Sequence, residues 1–174
     1  SNRQRDSLAN MKLNNVYSGA VGSYERIGQS ILSQMEHLAT DQTLTRYLLV
    51  KDDAGFIDQQ GLIDFISRMR QLLNLDYLIV VGPDGKVLAR GHDPGYFGDN
   101  ISNDPFFADA LKGQKAQSLS KTRIGGSDVL TVLAATPVWF ENSEMIASVV
   151  GGRSINEDFC RNLKDLSGAE ILLV

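Results

Sequence analysis

The sequence predicts an α+β fold: a five-stranded antiparallel sheet with a long N-terminal helix packed on it and short helices over its other face. Three observations carry this. Between residues 75 and 150, apolar runs rich in β-formers recur between turn signals, as LDYLIVV, KVLAR, QSLSKT, DVLTVLAATPVW and MIASVVGG. The 74 residues before them read as helices by their apolar period. A short capped helix, NDPFFADALKG, interrupts the strands after the second one. The chain divides accordingly into 1–74, a long helix with shorter helices, and 75–174, the sheet-bearing core.

At 174 residues the chain is long enough for one well-buried domain with a helical stalk. Its 43% hydrophobic and 22% charged content is ordinary for a globular protein. A net charge of −4 lacks the basic footprint that nucleic-acid binding requires. The single cysteine, Cys160, excludes an internal disulfide and a multi-cysteine zinc site. No apolar run reaches the roughly 20 residues that span a bilayer. Ser1-Asn2 resembles a scar of tag removal, and the sequence stops inside the apolar run Ile171-Leu172-Leu173-Val174. A piece of a longer protein is therefore expected, with membrane segments outside it.

In order along the chain, Leu13, Tyr17, Ala20, Tyr24, Ile27, Ile31 and Leu38 mark one helical stripe over 6–38. Such a helix makes roughly nine turns and about 50 Å, interrupted by the weak helix formers Gly19, Gly22 and Gly28. It is either buried on its own domain or a stalk that pairs with a second copy in a homodimer. A shorter helix over 41–50 takes Asp41 as N-cap. The next, from Gln59 to Leu73, points Leu62, Phe65, Ile66, Met69, Leu72 and Leu73 inward and Arg68 and Arg70 outward, and stops at Asn74. Gly82-Pro83-Asp84-Gly85 supplies a hairpin turn, with proline presetting one φ and Gly85 free to take φ > 0. The polar, glycine-rich stretch 91–102 is a loop of a dozen residues, a length that in compact domains is usually functional. Asn103-Asp104-Pro105 opens the short helix, whose apolar face is Phe106, Phe107, Ala110 and Leu111, and Gly113 ends it. A glycine-rich turn is expected over 123–128 and another turn over 141–144. Ser154 with Glu157 is a capping box for a helix that Gly168 closes, and 170–174 starts a further strand.

Five stretches together resemble the single-Cache branch of the Cache superfamily, whose core is PAS-like. They are VLARGHDP–FGDNISN (87–103), ALKGQ (110–114), LAATPV (133–138), VVGGRSIN (149–156) and LSGAEILL (166–173). The resemblance covers 75–174 and reaches the N-terminal third only as helix. It implies an extracytoplasmic sensor of a bacterial membrane receptor: a histidine kinase first, a chemoreceptor or diguanylate cyclase otherwise. Flanking transmembrane helices would anchor it in the cytoplasmic membrane. A small molecule would bind between the sheet and the long loop, and no cofactor or metal is implied.

On that expectation the site residues are Arg90, His92, Asp93, Phe106, Thr122, Arg123, Thr131, Leu133 and Ala135, with Ser120 as a further donor. Arg90 ends the second strand where the loop begins, so its planar charge either clamps a ligand carboxylate or pairs with Asp93 or Asp99. His92 lies at the same mouth, or bonds to backbone; His37 reads as a surface residue. Alternation puts Thr131, Leu133 and Ala135 on one face of the long strand. In citrate- and dicarboxylate-sensing relatives basic residues occupy the Leu133 and Ala135 places, and a histidine stands where Asp93 precedes the proline. A small monocarboxylate or a less charged ligand fits these departures better than a tricarboxylate. Two other readings stand beside this one. Catalysis lacks a Ser/His/Asp set, a P-loop, an HExxH or a nucleophile elbow. A ligand-free structural domain would show an interior closed by Phe97, Phe106 and Leu133.

Overall fold

The computed structural model of the chain describes residues 22–155. They form helix α1 (22–39), α2 (Gln42–Leu49), α3 (Gln59–Leu72), strands β1 (Tyr77–Val81) and β2 (Val87–Arg90), helix α4 (Pro105–Ala110), and strands β3 (Ala116–Ile124), β4 (Ser127–Phe140) and β5 (Glu144–Ser154). The strands make one antiparallel sheet in the order β2-β1-β5-β4-β3. The expected first half of the long helix, the helix after Ile155 with Cys160 and Gly168, and the strand at 170–174 lie outside the described residues.

Local chemistry sets the boundaries. Asp41 caps α2 by accepting the N–H groups of Thr43 and Leu44 at 2.8 and 3.0 Å, and Asp58 caps α3 through Gly61 N–H. Asn74, at φ 54°, ends the α3 region. In the β1–β2 hairpin Gly85 takes φ +89° and donates to Gly82 C=O at 2.9 Å. The expected six-residue turn at 123–128 is shorter than composition suggested. Gly125 and Gly126 alone turn the chain, at φ +59° and +80°, and Ile124 already pairs with Ser127. Two consecutive positive φ values match a tight hairpin to the twist of its strands.

Pleating divides the sheet into two unlike faces. Leu78, Val80, Val132, Ala134 and Val149 point toward α1, α2 and α3, meeting Ile31, Met35, Leu44, Leu62 and Ile66 in one core. Gly28 lets α1 lie close to the sheet: a Cβ there would sit 2.5 Å from Gln117 Oε1. Over the described residues the outer side of α1 is polar, with Glu25, Arg26, Gln29, Ser30, Ser33 and His37 exposed. Two expectations for α3 are corrected. Leu72 is 76% exposed, because the buried stripe of Leu62, Ile63, Phe65 and Ile66 has drifted past it by the last turn. Arg70 is not outside; its guanidinium donates to Gly91 C=O (3.2 Å) and Leu75 C=O (3.1 Å), tying α3 to the start of the long loop.

The end of β5 is fastened to α1 and α3. Arg153 donates to Gln34 Oε1 at 2.9 Å and to the carbonyls of Leu73 and Asn74, while Gln34 donates to Leu73 C=O. Ser154 closes β5, donating its N–H and hydroxyl to Asp76 Oδ2 at 2.8 and 3.0 Å.

Candidate functional site

The other face of the sheet is where the polar groups converge. Tyr77, Ile79 and Arg90 share it, and across the sheet Val150, Gly152, Leu133 and Ala135 continue it. Gly152 keeps the floor low between its neighbours. A Cβ there would lie 2.7 Å from Thr131 Cγ2 and 2.8 Å from Leu133 Cδ2. The 91–102 loop then runs back along the outer edge of β2, with Val87 N–H donating to Asp99 C=O and Gly98 N–H to Val87 C=O, both at 2.8 Å. That pairing satisfies an otherwise open sheet edge and holds the first half of the loop over the sheet. Asp104 caps α4 by accepting Phe106 N–H at 2.9 Å. Loop, α4, floor and the β3–β4 hairpin enclose a cavity of about 330 Å³, a size suited to a small ligand.

Arg90 is held inside this wall. It makes a two-pronged pair with Asp99 at 2.6 and 2.7 Å, donates to Tyr96 C=O, and lies 4.2 Å from the centre of the Tyr96 ring. Burial alone would lower its pKa; the bonds and charge of Asp99 outweigh burial and raise it. The same bonds from Arg90 hold the Asp99 carboxyl below its ordinary value. Of the two fates open to Arg90 in the sequence, the ion pair with Asp99 is the one observed.

His92 stacks on Tyr77 with ring centres 4.4 Å apart. Its Nδ1 accepts Leu78 N–H at 3.3 Å, so the neutral ring carries its proton on Nε2. Burial first, and the Arg90 charge second, push its pKa down to about 4. Tyr77 is 7% exposed; burial raises its phenol well above the usual value, Arg90 opposes this, and Asp104 and Asp99 add to it. No hydrogen bond to its hydroxyl forms among the described residues, and the residue borders the cavity.

Of the residues singled out in the sequence, Arg90, His92, Asp93, Phe106, Ser120, Thr122, Arg123 and Leu133 line this cavity. Thr131 and Ala135 do not, although both belong to the cavity face. Thr131 is fully buried, its hydroxyl 2.6 Å from that of Thr122, and Ala135 is fully buried in the floor. Arg123 reaches only the rim as a charge. Pairing of Ser118 with Leu133 and Ser120 with Thr131 puts the even-numbered residues of β3 on the cavity side. Lys121 and Arg123 therefore project to the other side, and Arg123 pairs with Asp128 there, both side chains about 70% exposed. Phe97 is 44% exposed and closes nothing. Tyr77, Tyr96, Asp104 and Phe107, with Lys121, Gly125 and Gly126 at the edge, complete the lining and were missed. A tyrosine heading an otherwise aliphatic strand, in phase with Leu133, was the available signal.

A larger open groove of about 910 Å³ lies elsewhere, between the 51–57 loop and the β1–β2 turn, with Phe56 70% exposed beside it. It is more open to solvent than the cavity under the 91–102 loop, which is the better-enclosed site. Among the described residues no His/Cys/Asp/Glu cluster could hold a metal, and no helix is long and apolar enough to cross a membrane.

No protein-family model matches the chain, and no curated protein matches it in sequence. Solved structures match its fold. The sensor domain of the V. cholerae histidine kinase DctB is similar at TM-score 0.69 and 15% identity, over 92% of this chain and 61% of that one. The E. coli DcuS sensor domain is similar at 0.58 and 16%, over 84% and 98%. The ligand-binding domain of the Campylobacter jejuni chemoreceptor Tlp3, in complex with 4-methylisoleucine, is similar at 0.56 and 12%, over 95% and 65%. The chain thus spans less than two thirds of the DctB and Tlp3 chains and nearly all of the DcuS one. Its fold is the PAS-like fold of these sensor domains.

Proposed function

We propose that this chain is the extracytoplasmic sensing domain of a bacterial transmembrane receptor, a histidine kinase in preference to a chemoreceptor or diguanylate cyclase. It binds a small organic molecule in the cavity under the 91–102 loop and carries out no catalysis itself. One observation supports this most: a cavity on the face opposite α1–α3 onto which Tyr77 opens a hydroxyl with no hydrogen-bond partner among the described residues. A hydroxyl open to an enclosed cavity can donate to or accept from a ligand bound there. The flanking segments anchor the domain in the cytoplasmic membrane.

The route for the signal is the strand beneath the ligand. Tyr77 pairs with Gly152, the next residue is Arg153, and Arg153 grips Gln34 of α1. A ligand that draws the loop toward Tyr77 loads that junction and displaces α1 relative to the end of β5. The test is a thermal-shift screen of organic acids, amino acids and amines on the wild type and on Ser120→Phe, which fills the cavity from its rim. Binding to the folded state raises the melting temperature by mass action. Compounds that stabilise the wild type and lose their effect in Ser120→Phe support the proposal. Silence throughout, or stabilisation that Ser120→Phe leaves intact, contradicts it.

A further inference from the structure

Which small molecule the cavity takes can be narrowed by the charges that remain once internal pairs are removed. This step rests on the sensing proposal above. A small carboxylate was the expectation while Arg90 was free to clamp one. In the structure its guanidinium is bonded to Asp99 at two points and to Tyr96 C=O, beneath the Tyr96 ring. Lys121 and Arg123 project from the opposite side of β3. His92 is neutral, with Nδ1 engaged by Leu78 N–H. Lys121 and Arg123 reach the cavity only at its edge, from β3 positions that face away from its floor, so the cations at its centre are paired or neutral.

The anions are different. Asp93 and Asp104 both line the cavity, and neither has an ion-pair partner among the described residues. Between them stand the faces and edges of Tyr77, Tyr96, Phe106 and Phe107, and aromatic faces attract a cation within about 6 Å. At the bottom, Tyr77, a residue only 7% exposed, has a hydroxyl open to a hydrogen-bonding group. We infer that the cavity selects a small ligand bearing an organic ammonium group, held by Asp93 and Asp104 at the rim and by the Tyr77 hydroxyl and aromatic wall within. An anionic ligand would meet two carboxylates, with Lys121 reaching the cavity only at its edge, which is the repulsion by which sites reject wrong partners.

A matched set of probes tests this. Melting temperatures are measured with 3-methylbutylamine and choline as cations, 3-methyl-1-butanol and 3,3-dimethyl-1-butanol as their neutral isosteres, and 3-methylbutanoate as the anion. At least one cation is expected to raise the melting temperature while its isostere and the anion do not. Asp104→Asn keeps a capping side chain on α4 and removes only the charge, so it should weaken the cation on the order of tenfold without unfolding the domain. Tyr77→Phe should weaken 3-methylbutylamine more than choline, which has no N–H to donate. Stabilisation by the anion or the neutral compounds alone overturns the ammonium assignment and leaves the sensing proposal standing. No stabilisation by any probe overturns the assignment, and silence in the broader screen as well overturns both.

Discussion

The two faces of one sheet are built from the same strands and do opposite work. Leu78 and Val80 alternate with Tyr77 and Ile79 along β1, yet the first pair sits in a closed aliphatic core and the second beside a cavity. Helices α1–α3 cover the first face and share one aliphatic cluster with it. On the second, polar groups are either paired, as Arg90 and Asp99 are, or left open, as the Tyr77 hydroxyl is. The larger aliphatic cluster lies on the helix face, and the second face leaves an enclosed cavity. The contrast is a division of labour set by period-two alternation.

Truncation on the closed face should therefore cost far more than truncation on the open one. Leu78→Ala, at a fully buried position, is expected to lose about 2–5 kcal/mol in urea unfolding. Phe106→Ala, half-buried at the cavity wall, should lose under about 2 kcal/mol; equal losses would break the comparison. Between these, Asp99→Asn should cost about 1–3 kcal/mol by removing a charged partner from Arg90. Its pH dependence has a definite sign. The folded carboxyl titrates below its ordinary value of 3.8, so this stabilisation is complete above that pH and is lost as pH falls through the folded value. His92 acts in a higher window. The unfolded ring takes up its proton near 6.5 and the folded ring near 4, so stability present above 6.5 declines as pH falls toward 4. His92→Gln should flatten that part of a stability-versus-pH curve. At the small end, Lys115→Ala breaks a pair with Glu36 in which both side chains are about half exposed, and should cost under about 0.5 kcal/mol.

Much of the architecture was legible because it rests on local chemistry. Asp41, the Gly82–Gly85 turn, Asn74 and the Asp104-Pro105 helix start each carry their own signal, and alternation in LTVLAATPV separates the two faces. What sequence could not supply was pairing across space. The partner of Arg90 was open between Asp93 and Asp99 because nothing local decides it. Arg70 reads as an exposed helix residue until Gly91 folds back against it. Arg123 was expected as a donor on the neighbouring strand; it reaches the cavity's edge, while the register of β3 on β4 turns its charge toward Asp128. Tyr77 was legible in principle, since it sits in phase with Ile79 and Val81, but an apolar run invites reading every member as core.

The most direct test of the central claim is an amide-resonance map of the isotope-labelled domain titrated with a compound that raises its melting temperature. The account predicts the largest shifts at Tyr77, at residues 91–96, at Phe106 and at Gly125-Gly126, fading into Arg153 and α1. Shifts gathered instead at Phe56, Ile57 and Leu88, around the open groove, would contradict it.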